Sequence, residues 1–135
     1  MEILNHKSKP VNYNWKNKVI LIAEDMEMNF VLLKKTLAQT QANIIRAKNG
    51  QEMVDIIKSN QHVDIVLLDM GMPVMDGYDA TKLLRNEGFQ IPIIAQTAFA
   101  LNNEKERVLK VGCNDYVEKP INKEVLFEKI DKLIS

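Results

Sequence analysis

The stretch at residues 63–73 reads Val-Asp-Ile-Val-Leu-Leu-Asp-Met-Gly-Met-Pro and decides the fold. Its near-continuous apolar run is typical of a β-strand that is buried on both faces. The run ends in the carboxylate of Asp69, and the Gly71 and Pro73 that follow do not continue a strand. Ligands of open parallel sheets bind at the carboxyl ends of the strands. Asp69 is therefore the first candidate for a functional residue.

The composition is that of one ordinary globular domain. The chain has 135 residues, of which 46% are hydrophobic and 27% are charged. Lys+Arg and Asp+Glu are equal at 18 each, so no basic surplus points to nucleic acid or to an anionic membrane. The apolar runs are too short to span a bilayer, and the N-terminus lacks the pattern of a signal or transit peptide. The single Cys113 excludes an internal disulfide and argues against a zinc site. We expect a cytoplasmic domain.

Apolar periodicity predicts a polar lead-in at residues 1–17 and a single domain at residues 18–135. Within the lead-in, Trp15 is the residue expected to dock on the domain. Five strands are predicted at 18–23, 43–47, 63–69, 91–97 and 115–118, each followed by a helix. The fourth helix is predicted to carry Leu101 and to end at Gly112.

This alternation of strands and helices predicts a doubly wound α/β domain with a five-stranded parallel sheet and helices on both faces. Periodicity does not determine the strand order.

Polar side chains stand at the ends of four predicted strands, at the same edge of the sheet. Glu24 and Asp25 follow the first strand, Asp69 ends the third, Thr97 ends the fourth and Lys119 follows the fifth. Each also has a purely structural interpretation, as a helix-stabilising acid, a cap or a solvated charge. Together, three carboxylates would repel by about 4 kcal/mol per pair at a separation of about 4 Å and an effective dielectric of about 20. A cation is therefore expected among them, and all-oxygen ligation suits Mg²⁺.

These motifs resemble the response-regulator receiver domain of two-component signalling. The resemblance runs from about Lys18 to the C-terminus, and its motifs stand at four strand ends in the order and spacing of the family. The sequence is most similar to the C-terminal receivers of hybrid sensor histidine kinases, because it has Ala-Glu-Asp followed by Met-Asn-Phe and also a Gly-Cys-Asn-Asp-Tyr stretch. The matching segments are Ala23-Glu24-Asp25 with Asn29, Leu67-Leu68-Asp69-Met70 with residues 72–77, residues 93–98 and residues 112–120.

The resemblance implies a flavodoxin-like (βα)5 fold with strand order 2-1-3-4-5. Asp69 would accept a phosphoryl group from a phosphohistidine and form an acyl phosphate, for which a carboxylate is a reasonable nucleophile. Mg²⁺ would be bound by the side chains of Asp25 and Asp69, by Glu24 either directly or through water, and by the backbone carbonyl of Gly71. Mn²⁺ would be able to substitute for it. As an isolated domain, the chain would catalyse only its own phosphoryl transfer and dephosphorylation.

The same resemblance implies roles for three residues around the acceptor. Lys119 would neutralise phosphoryl charge, and the Thr97 hydroxyl would hydrogen-bond to a phosphoryl oxygen. Tyr116 would turn inward behind Thr97 and change the surface around the fourth helix and the fifth strand. A half-buried strand aromatic is the structural alternative for Tyr116. The bond between Lys119 and Pro120 would be cis.

The implied partners are the phosphohistidine domain of a histidine kinase and, in a longer relay, a histidine phosphotransfer protein. No nucleic-acid or membrane contact by this domain is expected, although a bacterial parent could be a membrane-bound sensor. The polar lead-in favours a receiver from a hybrid kinase over a stand-alone regulator. A phosphorylation-independent interaction module is a further alternative.

Two rivals from other classes fit the sequence less well. An aspartyl phosphatase would need a second carboxylate two residues after Asp69, where Gly71 stands. A flavin-binding electron carrier would need a phosphate loop after the first strand, where Glu24 and Asp25 would repel a phosphate.

Overall fold

The computed structural model describes residues 12–98 and 103–135. Within these residues, five strands alternate with five helices, as predicted. Residues 1–11 of the predicted lead-in and Leu101 of the predicted fourth helix lie outside the described part. The elements are β1 (Val19–Ala23), α1 (Glu27–Ala38), β2 (Asn43–Ala47), α2 (Gly50–Lys58), β3 (Ile65–Asp69), α3 (Gly77–Asn86), β4 (Ile93–Thr97), α4 (Glu104–Val111), β5 (Asp115–Glu118) and α5 (Lys123–Ile134).

The strands form one parallel sheet in the order β2-β1-β3-β4-β5, which confirms the implied flavodoxin-like topology. All five residues of β3 are buried, as the apolar run of this strand predicts. β4 begins at Ile93, two residues later than predicted, after Pro92, which has no N–H to donate to a strand ladder. The order makes β1 and β3 neighbours, with Ala23 opposite Leu68. Their carboxyl ends therefore meet at the point where the strand order reverses, which is where α/β sheets bind ligands.

Helices cover both faces of the sheet because successive strand residues point to opposite sides. Ile20 and Ile22 of β1 pack in the core beneath α1 and α5. Leu21 and Ala23 of the same strand pack in the core beneath α2, α3 and α4. One face of the sheet is thus covered by α1 and α5, and the other face is covered by α2, α3 and α4.

The end of the lead-in is part of the packed structure. The Trp15 side chain is buried, and its ring lies 5.5 Å from the ring of Phe127 on α5 and 5.1 Å from that of Tyr13, measured between centroids. Its backbone N–H donates to the carbonyl of Thr40 at 2.7 Å, and its indole N–H donates to Asp131 at 3.4 Å. The predicted docking of Trp15 is confirmed, whereas the domain boundary at residue 18 stays a prediction.

Candidate functional site

Three carboxylates meet at the carboxyl ends of β1 and β3, as the sequence predicts. Glu24 is fully buried, Asp69 is nearly so and Asp25 is exposed. One carboxylate oxygen from each of the three lies within 4.8 Å of the others. The strand order causes this meeting, since it sets the end of β1 directly beside the end of β3.

Glu24 occupies a costly position for a charged group. Its Oε2 accepts from the backbone N–H of Met26 at 3.3 Å, but its Oε1 is buried with no hydrogen-bond partner among the described residues. Burial, and then the negative charge of Asp69, raises the pKa of Glu24. A buried, unpaired carboxylate oxygen costs free energy unless a cation reaches it. The donor set and the orphaned oxygen both fit a divalent ion with a preference for oxygen, such as Mg²⁺.

Lys119 brings a positive charge to the acceptor candidate. Its Nζ lies 3.5 Å from Oδ1 of Asp69, which forms an ion pair between two largely buried side chains. The backbone N–H of Lys119 donates to the carbonyl of Thr97 at 2.8 Å, and this contact holds the end of β5 against β4. The peptide bond between Lys119 and Pro120 is cis, as the resemblance implies.

A cleft of about 460 Å³ opens above these groups. Gly71 lines it and donates its backbone N–H to Oδ1 of Asp69 at 3.1 Å, while the role of its carbonyl stays a prediction. Thr97 also lines the cleft, and its buried Oγ1 has no hydrogen-bond partner within the described residues. A hydroxyl without a partner among the described residues, at the cleft that Asp69 also lines, is suited to donate a hydrogen bond to an oxygen atom of a bound group.

Tyr116 lies apart from the acidic cluster. It stands opposite Ala95 in the ladder between β4 and β5 and packs half-buried on the face that α4 covers. The Nζ atoms of Lys129 and Lys105 lie 4.8 Å and 5.8 Å from its ring centroid. The structure therefore gathers Glu24, Asp25, Gly71, Asp69, Thr97 and Lys119, and it places Tyr116 behind them on the α4 side.

Sequence reasoning missed Gln96. This residue of β4 is 2% exposed, and its Nε2 has no hydrogen-bond partner in the described part of the chain. It lines both the cleft and a second cavity of about 340 Å³ between α1 and α5. A polar residue inside the otherwise apolar run at 93–96 was the signal that could have revealed it.

Three further residues at the mouth of the cleft were also missed. The hydroxyl of Tyr78 on α3 donates to the carboxylate of Glu104 on α4, and the guanidinium of Arg107 lies 3.9 Å from the ring centroid of Tyr78. Burial, followed by Glu104, raises the pKa of Tyr78 to about 12. These contacts join α3 to α4 beside the site, and the sequence has no periodic signal for them.

Among the residues that the structure describes, none forms a helix with the length and apolarity needed to cross a membrane.

The family model for the response regulator receiver domain matches residues 20–131. Domains of this family take phosphoryl groups from histidine kinases or from phosphotransfer proteins.

Three similar proteins illustrate the match. The chain is 40% identical over 123 residues to hybrid signal transduction histidine kinase I of Dictyostelium discoideum, covering 85% of this chain but only 7% of the kinase. It is 36% identical over 107 residues to the polar-differentiation response regulator DivK of Brucella ovis, covering 78% of this chain and 86% of DivK. The receiver domain of sensor histidine kinase PA1611 from Pseudomonas aeruginosa, solved with a magnesium ion in its active-site cleft, superposes with a TM-score of 0.78 at 33% identity over 87% of this chain and 97% of that one. The fold, the acidic cluster and these matches show that the chain belongs to the response-regulator receiver domain family and is a receiver of a two-component phosphorelay.

Proposed function

We propose that this receiver takes a phosphoryl group from a phosphohistidine onto Asp69. The observation that carries the proposal is the position of Lys119, whose Nζ lies 3.5 Å from Oδ1 of Asp69 inside a cluster of three carboxylates. In the transfer, a carboxylate oxygen of Asp69 attacks phosphorus while the bond from phosphorus to the imidazole nitrogen breaks. The imidazole leaves and takes up a proton, and an acyl phosphate remains on Asp69.

The three carboxylates, with the backbone carbonyl of Gly71, would hold the metal ion. When bound, Mg²⁺ would supply positive charge that offsets the negative charge of the carboxylates and of the phosphoryl group. Mn²⁺ would substitute because it accepts the same oxygen donors. The orphaned Oε1 of Glu24 and the close approach of Asp25 and Asp69 support this assignment.

Lys119 and Thr97 would act on the phosphoryl group itself. The ammonium of Lys119 neutralises charge on a phosphoryl oxygen. Because this cation is already in place, it costs little reorganisation free energy at the moment of reaction. The Thr97 side chain moves toward the phosphoryl group, and its hydroxyl donates to another phosphoryl oxygen. This movement of Thr97 frees space behind β4. Tyr116 then turns inward and changes the surface formed by α4 and β5. The half-buried position of Tyr116 supports this switch, as does the Thr97 hydroxyl, which has no hydrogen-bond partner among the described residues.

The proposed partner is the phosphohistidine domain of a histidine kinase or a histidine phosphotransfer protein. Apolar side chains on α1 and just before it are exposed beside the acidic cluster, including Met28 at 79% and Leu32 at 64%. Exposed apolar side chains at one patch are typical of a protein interaction site. We propose no contact of this domain with nucleic acid or membrane.

The parent protein is proposed to be a hybrid histidine kinase in which residues 1–17 lead from the kinase core to a receiver at 18–135. The 40% sequence identity to part of the Dictyostelium hybrid kinase supports this origin. The match to DivK over 86% of its length supports the alternative, a stand-alone response regulator. In both cases we propose that the domain works in the cytoplasm.

Intact mass after incubation with Mg²⁺ and acetyl phosphate tests the acceptor. The wild-type chain should gain one phosphoryl group, the gain should require Mg²⁺, and it should vanish in Asp69→Asn. Asp55→Asn, which changes an exposed carboxylate on α2, is the matched control and should gain the group normally. Uptake that persists in Asp69→Asn would place the acceptor elsewhere. No uptake by the folded wild-type chain from acetyl phosphate or a phosphorylated kinase domain would favour the interaction module.

A further inference from the structure

Arg46 is the penultimate residue of β2, and its side chain contacts the loop after β1 that carries two of the three carboxylates. Its Nε and Nη2 donate to the backbone carbonyl of Glu24 at 3.2 Å and 3.1 Å, and Nη2 also donates to the carbonyl of Asp25 at 3.4 Å. Its guanidinium carbon lies 4.7 Å from the ring centroid of Phe30, and its Nη1 pairs with the carboxylate of Glu27. One side chain thus contacts the loop and the first turn of α1.

The loop needs such a contact because α1 has no cap of its own. The residue before the helix is Met26, which makes no side-chain hydrogen bond to the helix N-terminus. Without a cap, the exit from β1 into α1 is held less firmly by local interactions. By contrast, three other helices start with a side chain that accepts from the first turn, namely Asn49, Asp76 and Asn122.

The hydrogen bonds from Arg46 to the carbonyls of Glu24 and Asp25, rather than its ion pair with Glu27, hold the loop. The Glu27 side chain is 75% exposed, and an ion pair with such an exposed partner contributes little. The Arg46 side chain is only 15% exposed, and its planar fork matches two carbonyl oxygens in a way that a lysine ammonium does not. Because Arg46 binds carbonyls, it leaves the carboxylate oxygens of Glu24 and Asp25 free for other ligands.

We propose that Arg46 is a positioning residue for the metal site: it holds the main chain at Glu24 and Asp25 so that both carboxylates face Asp69. This inference rests on the proposed function, in which these carboxylates bind Mg²⁺. Groups that orient metal ligands from outside the coordination sphere typically change metal affinity by about 10- to 100-fold when removed.

Positioning and simple charge predict opposite effects on metal affinity. A guanidinium close to the site repels a divalent cation, so its charge alone would make Mg²⁺ bind more tightly in Arg46→Met. Loss of positioning would make Mg²⁺ bind more weakly in the same variant. Arg46→Lys keeps the charge but loses the fork, so it isolates the geometric contribution.

Mg²⁺ titration of the unphosphorylated domain, followed by amide chemical shifts, tests the proposal. We expect the Kd for Mg²⁺ to rise about tenfold in Arg46→Met, and at least as much in Arg46→Lys, which loses the fork but keeps the charge that repels the metal ion. The matched control is Arg85→Lys, since Arg85 donates in the same way to the carbonyls of Gly112, Phe89 and Ile91, at 3.0, 2.9 and 2.8 Å, outside the acidic site. The control should lower the thermal unfolding temperature without changing the Kd.

The outcomes separate this inference from the function on which it rests. An unchanged or lower Kd in Arg46→Met, with normal Mg²⁺ binding by the wild-type chain, would overturn the role of Arg46 and leave the metal site intact. A rise in Kd as large in Arg85→Lys would overturn it too, because the effect would then follow from general loss of stability. A wild-type chain that binds no Mg²⁺ would overturn the metal site and this inference together.

Discussion

Gln96 and Asp69 stand opposite each other in the ladder between β3 and β4, so a buried amide lies beside the carboxylate proposed as the acceptor. The Nε2 of Gln96 has no hydrogen-bond partner among the residues described, and an unpaired buried donor costs about 1–3 kcal/mol. We expect Gln96→Leu to raise the free energy of unfolding of the metal-free chain by an amount in that range. Urea unfolding in EDTA measures it, with Gln61→Leu at an exposed position as the control. A clear loss of stability in Gln96→Leu would show that the amide has a bound partner in solution.

Lys119 is predicted to speed phosphorylation without being needed for the metal. In Lys119→Met, the rate of phosphoryl uptake from acetyl phosphate should fall on the order of a hundredfold, because the cation that stabilises the phosphoryl charge is gone. The Kd for Mg²⁺ should not rise, since a competing cation has been removed from beside Asp69. Lys123→Met, at the exposed start of α5, should leave the rate unchanged. A normal rate in Lys119→Met would remove Lys119 from the mechanism.

Thr97 is predicted to transmit phosphorylation rather than to permit it. Thr97→Val keeps the shape of the side chain but removes the hydroxyl, so Asp69 should still gain its phosphoryl group. The amide and ring shifts of Tyr116 that accompany phosphorylation of the wild-type chain should be lost. Thr81→Val, another buried threonine whose hydroxyl contacts the Cys113 sulfur at 3.8 Å, is the control and should respond normally. Tyr116 shifts that persist in Thr97→Val would disprove the proposed switch.

Glu24 should give the metal-free protein a characteristic pH dependence. Burial, and then the charge of Asp69, raises the pKa of Glu24 above its ordinary value of 4.5, so the folded chain binds this proton more tightly than the unfolded chain does. Its contribution to the free energy of unfolding should therefore fall as the pH rises from 4.5 through the raised pKa, and then level off.

The difference between wild type and Glu24→Gln isolates this contribution from those of other carboxyl groups. Urea unfolding in EDTA from pH 4.5 to about pH 7 should show the variant gaining stability relative to wild type as the pH rises. Parallel curves for the two proteins would mean that Glu24 has the same proton affinity in the folded and unfolded chains.

Trp15 should contribute to stability as a core residue. Trp15→Ala removes a buried ring that packs on Phe127, and such truncations cost about 3–5 kcal/mol of unfolding free energy. Trp15→Phe should cost less, because it keeps part of the aromatic packing. A chain that begins at Lys18 should be less stable than one that begins at Asn12, by about as much as Trp15→Ala is less stable than wild type. Equal stability of the two truncated chains would place the boundary at residue 18.

The alternation of strands and helices was predictable because each element has a local apolar pattern. The buried strand that ends in Asp69, and the polar residues that end its neighbours, could also be located along the chain. Strand order could be inferred only from resemblance to a family, because periodicity records which side of an element is buried and not which element lies beside it. The convergence of Glu24 and Asp25 on Asp69 depends on that order.

The sequence alone therefore determined the fold class, the sheet edge that carries the chemistry and the residue types found there. Only the tertiary structure decided which groups are paired. Gln96 is unusual because its burial leaves its Nε2 without a hydrogen-bond partner in the described part of the chain. Arg46 contacts the loop after β1 because β2 lies beside β1. Arg46 and Glu24 are 22 residues apart and belong to different elements, so no local pattern reports their contact. Such contacts arise when the whole sheet assembles, and for that reason they had to be read from the structure.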